Sequence, residues 1–245
     1  MTSAPKIARR IVLRLDPRLA RDGASLASAT RMARAFNAEL AARLVSDTRF
    51  AASLTSPAGS ARPQGGEAFS VDVLVRRAET TYRRTVSAAA EHEQAAWSFS
   101  VVACAGVLSE CGAIEPDDLV ALDVQRLAGA DLRREVESAL SHARGALLFP
   151  SAAQPRSGPV VVIANDRRQG LIEQAEQIAS ALDAPLIPIE RTVETESVGE
   201  LAAAIRKRSA MLAVIDALDA LAQEFVARPR FLRELDAPLL LLKVG

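Results

Sequence analysis

Only two cysteines and two histidines occur in the 245 residues. Cys104 and Cys111 have no CxxC spacing and no histidine nearby. A metal site needs more ligands and a disulfide framework more cysteines, so both read as ordinary thiols of a reducing compartment. His92 and His142 fall near the ends of helical stretches, where a cation favours the helix dipole. Neither has an acid or nucleophile at a catalytic spacing, and GxSxG, HExxH, Walker A and paired-carboxylate motifs are missing. Aromatics make up 4%, which implies cores of Ala, Leu and Val. Thirty basic and thirty acidic residues cancel, so no global field draws in nucleic acid or acidic lipid. The pairs Arg9-Arg10, Arg76-Arg77, Arg83-Arg84 and Arg133-Arg134 are interspersed with acids and read as solvated or salt-bridged faces. Near the N-terminus, Arg14 and Asp16 interrupt the only apolar run that follows basic residues, leaving it too short for a signal peptide or a bilayer span. The expectation is a soluble cytoplasmic protein with no nucleic-acid and no membrane partner.

What is present is a repeated design. In GPVVVIANDRRQGLIEQAEQIASAL, from Gly158 to Leu182, a β-branched run stops at Asn165 and Asp166. Apolar residues then recur at Leu171, Ile172, Ala175, Ile178, Ala179 and Leu182, so the unit is strand, tight turn, helix. The chain opens the same way: Ile11 to Leu15, then Asp16, then a helix through Leu26, Thr30, Ala33 and Phe36. Two copies of one opening mean a duplicated α/β unit.

Further strands are expected at Leu40 to Val45, Phe99 to Ala103, Leu119 to Val124 and Ala146 to Phe149. A helix should run from Val71 through Tyr82, Val86 and Ala89, a short turn sit near Val107 to Cys111, and another helix present Leu132, Val136, Ala139 and Leu140. Gly145 reads as the stop of that last helix. Phe50 to Ala68, rich in Ser, Ala, Pro and Gly, reads as a poorly ordered connector, with a lid as the alternative. Alternation of this kind builds a parallel sheet with helices on both faces. After a linker from Ser151 to Gly158, strands follow at Leu186 to Ile189, Met211 to Ile215 and Leu239 to Leu242. Helices fall at Val198 to Ile205 and from Leu218, with Pro229 ending or kinking the second. Between Ile189 and Val198 there is no room for a helix plus a strand, so the second copy is trimmed to four strands. Domains 1–153 and 154–245 are expected, each a three-layer α/β unit, with five strands in the first and four in the second. The two fifth strands should pair antiparallel, because Leu239 to Leu242 is apolar on both faces and its edge needs cover.

The stretches IVLRLDPRLARDGASLASATRMARAFNAEL and VVVIANDRRQGLIEQAEQIASALDAPLIPI resemble the universal stress protein family in its tandem form. The resemblance covers the element order of nearly the whole chain, and implies flavodoxin-like, adenine-nucleotide-hydrolase-like domains with parallel sheets of strand order 3-2-1-4-5, the second trimmed by a strand and a helix. It implies, by position, that Asp16 and Asp166 match the family's adenine-side Asp and that Val45 matches its base contact. It also implies dimerisation through the fifth strand, which duplication converts into an intrachain pseudo-dimer. The family cradles phosphates on a glycine-rich loop after the fourth strand, since close backbone approach needs glycine there. Here QRLAGADLRREVES after Val124 offers Gly129 alone, and no glycine follows Ile215 before Gly245.

Three readings of function result. The first is a non-catalytic regulatory or interaction protein of the universal stress type, acting in a stress response without ATP or another cofactor, with a homodimer or protein partner beyond the pseudo-dimer. The second is a stress protein binding ATP or AMP at the first half's switch point. The third is an enzyme with a site dispersed over loops. Missing glycines favour the first over the second, and missing catalytic groupings disfavour the third.

Overall fold

The computed structural model describes residues 7–15, 23–46, 71–103, 112–125, 127, 129–150, 157–164, 169–190 and 197–244. The strands are β1 (Arg10–Leu15), β2 (Glu39–Ser46), β3 (Trp97–Ala103), β4 (Asp118–Asp123), β5 (Gly145–Phe149), β6 (Val160–Ala164), β7 (Leu186–Glu190), β8 (Leu212–Asp216) and β9 (Leu239–Leu242). The helices among the described residues are α1 (Gly23–Ala35), α2 (Val71–Glu93), α3 (Gly129–His142), α4 (Gln169–Ala181), α5 (Val198–Lys207), α6 (Ala220–Ala227) and α7 (Pro229–Arg233). The connector Phe50 to Ala68, the turn at Val107 to Cys111, both cysteines and the expected boundary at 153 lie outside the described residues.

Among the described residues, all nine strands join one sheet, in the order β3-β2-β1-β4-β5-β9-β8-β6-β7. Its first five strands are parallel and ordered 3-2-1-4-5. The last four repeat that order without a third strand, as the short span after Ile189 requires. Among the described residues the single antiparallel pairing is β5 with β9, in the register Gly145 to Leu242, Ala146 to Leu241, Leu147 to Leu240 and Leu148 to Leu239.

The strands at this junction are near-continuous apolar runs because helices cover both of their faces. Leu147, Leu240 and Leu242 join a layer under α1, α2 and α4. Ala146, Leu148, Leu239 and Leu241 join the opposite layer under α3, α5, α6 and α7. Each layer therefore runs unbroken across the junction. α3 packs against α6 over it, bringing a helix of the first half onto one of the second.

Local chemistry sets the element ends. Ser197 caps α5 by accepting from the Glu200 amide at 3.3 Å, while the Glu200 carboxylate reaches back to the Ser197 amide. The helix expected from Leu218 starts two residues later, because Asp219 takes the N-cap and accepts from Leu221 at 2.9 Å. It stops at Ala227, and a short new helix opens on Pro229, which suits the first turn since it has no amide to leave unpaired.

Gly145 corrects one expectation. It is not the stop of α3, which ends at His142, but the first residue of β5. A Cβ at that position would run into the backbone carbonyl of Leu241 on β9. Only glycine permits the two backbones to come so close.

Candidate functional site

In a parallel sheet the crevice for a ligand opens at the C-terminal ends of the strands, where the order reverses. In the first half this is the mouth between β1 and β4, roofed by the start of α1. Asp123 ends β4 there. Its carboxylate accepts from the Ser25 hydroxyl at 2.7 Å, so the first turns of α1 are tied to the end of β4. It also accepts from the Gln125 amide at 3.0 Å, two residues on, closing a turn on itself. Burial pushes the Asp123 carboxyl upward, and the bonds from Ser25 and Gln125 only partly oppose that.

The second half has the same device. Asp216 ends β8, is buried, and accepts from the Leu218 amide at 2.8 Å. Leu218 is left 70% exposed on the outside of that turn. The signal for both acids was in the sequence: two apolar strands, LVALD and LAVID, each end in Asp at the equivalent point of the repeat.

Of the residues matched by resemblance, Asp16 and Asp166 lie outside the described residues. Val45 is described. It is 3% exposed near the end of β2, on the sheet face turned away from α1 and α2, in a small cluster with Val12 and Ala41. Val102, Ala113 and Ile114 pack against that cluster. The structure thus brings Asp123 and Ser25 together at the mouth and seats Val45 under cover.

The opposite end of the same strands is structural. Arg10 and Asp118 are register partners on β1 and β4, and Arg10 donates to both Asp118 oxygens, at 2.9 and 2.6 Å. Asp118 accepts a third bond from the Glu115 amide at 2.7 Å. The Asp118 carboxylate raises the Arg10 guanidinium above its ordinary value, against the desolvation that lowers it. Arg14 pairs with Glu135, a buried acid on α3. Arg83 with Glu79 and Arg133 with Glu137 form exposed pairs one helical turn apart, as interspersed charge suggests. His142 contacts the Ser138 carbonyl in the last turn of α3 at 2.9 Å. Among the described residues, no group of three or more His, Cys, Asp or Glu is placed to hold a metal ion, and no helix is long and apolar enough to cross a membrane.

No protein-family model matches this chain, and no curated protein matches it in sequence.

Proposed function

We propose that this chain is a non-catalytic regulatory or interaction protein of the universal stress type, its two halves forming an intrachain pseudo-dimer and its crevices closed to nucleotide. The observation that carries this reading is the fate of the amides after β4 and β8. A phosphate-binding loop must leave backbone N–H groups free to face the ligand. At both equivalent points an aspartate takes the amide two residues on: Gln125 by Asp123 and Leu218 by Asp216. Each carboxylate fills an anion's place with the protein's own charge, and an ionised Asp123 repels phosphate from the mouth between β1 and β4.

The burial of Val45 supports the same reading, since an adenine ring stacking on that side chain must first displace what already packs on it. The antiparallel β5–β9 junction supports the pseudo-dimer, because it joins equivalent strands of two similar half-sheets edge to edge. Calorimetric titration with ATP and AMP tests the proposal. No saturable heat and no hydrolysis are expected. Micromolar binding abolished by Asp16→Ala favours the second reading, an adenine-nucleotide-binding stress protein.

A further inference from the structure

The nine-stranded sheet has two outer edges, and they are built differently. β7 is five residues long and carries Pro188 and Glu190, both exposed, which blunt it against further pairing. β3 at the other edge has seven residues, WSFSVVA, with no charge and no proline. Val101 is 38% exposed there and Ala103 is exposed. Among the described residues β3 pairs with β2 alone. An uncharged strand of that length presents unpaired amides and carbonyls, and proteins cover or blunt such edges.

We propose that β3 docks a second copy of this chain, the two β3 strands running antiparallel about a two-fold axis at Ser100. Three features select a second copy over another partner. First, the strand is neutral along its whole length, so self-pairing opposes no like charges. Second, an axis at Ser100 sets Phe99 opposite Val101, Ser98 opposite Val102 and Trp97 opposite Ala103. Every opposed pair lies on one face, and the two aromatics meet small or β-branched side chains. Third, the neighbouring helix fits the same axis. Arg83 lies over the Phe99 ring at 5.0 Å, so that flank of α2 borders the edge. Glu79 lies one turn earlier on the same flank, bonded to Arg83 at 3.4 Å. A two-fold reverses the helix and brings Glu79 of one copy toward Arg83 of the other, opposite charges in both contacts. The chain already covers apolar strand edges in this way at β5 and β9.

The test is sedimentation velocity over about two decades of protein concentration, with amide exchange at Ser98 to Val102 followed in parallel. The full-length protein is expected to form a dimer, with slower exchange in β3 as the dimer fraction rises. Val101→Lys places an exposed charge on the edge and should weaken association about ten-fold or more, with circular dichroism unchanged. Ala103→Lys, also at an exposed position, serves if Val101→Lys folds poorly. A monomer at every concentration overturns the proposal. So does a dimer indifferent to both lysines, or full protection of the β3 amides in dilute monomer, which shows the edge covered from within the chain.

Discussion

Asp118, wholly buried, holds its register partner Arg10 with both carboxylate oxygens across the β1–β4 seam. A buried pair of this kind costs most when one member is removed, because the survivor stays desolvated and unpaired. Arg10→Met alone strands the wholly buried Asp118 carboxylate and should therefore destabilise the fold by roughly 3–5 kcal/mol in urea titration. Arg10→Met with Asp118→Leu should recover most of that loss. If the single and double variants unfold at the same urea concentration, the seam does not depend on the pair.

Asp123 gives a pH dependence of known sign. Burial raises its folded pKa above that of the unfolded chain, so the folded state holds the proton more tightly. Its contribution to stability is fully present below the unfolded value, about 3.9, and is lost as pH rises through the folded pKa. Asp123→Asn keeps the partners Ser25 and Gln125 but has no proton to lose. The variant should gain stability relative to the parent as pH is raised from acid to neutral. Thermal unfolding of both proteins across that range checks this, and a constant difference contradicts it.

Gly145→Ala tests the close approach at the junction. The added methyl meets a backbone carbonyl, which cannot swing aside, and lies 3.1 Å from a Leu119 methyl. A loss of about 1–3 kcal/mol is expected, the usual cost of overpacking. Leu240→Pro should do more, since β9 is bonded to β5 on one side and β8 on the other. It removes a ladder donor from a central strand, a position where proline is not tolerated, and should lower the melting temperature more than Gly145→Ala. Soluble protein with an unchanged melting temperature contradicts the assigned register.

Ser197→Ala removes half of a capping box and should cost about 1 kcal/mol. Ser197→Asp should restore most of it. Denaturant midpoints for the three proteins measure the effect.

How far these features were legible follows from their range in sequence. The strands and the missing third strand of the second copy follow from local periodicity and element spacing, whereas the strand order and the β5–β9 partnership rest on the family resemblance together with the all-apolar run Leu239 to Leu242. Arg10 with Asp118, Ser25 with Asp123 and Gly145 against Leu241 do not. Each joins residues on separate elements far apart in the chain, and no short-range pattern marks the contact. Gly145 shows the limit well: a glycine shortly after a helix suggests a stop, and only the neighbouring backbone reveals the other need. The candidate site was read from where glycine is missing, whereas the acids Asp123 and Asp216 are what occupy those turns.

The placement of β9 has a consequence for synthesis. It follows the eight other described strands in sequence, yet it sits between β5 and β8 in the finished sheet. A nascent chain that has emerged through β8 thus exposes two open apolar edges at once, and neither can close until Leu239 to Leu242 leaves the ribosome. Unpaired edges of that kind are sticky during folding. Synthesis of Leu239 to Leu242 is what joins the two halves, so a ribosome that stalls just short of Leu239 holds a chain primed to aggregate.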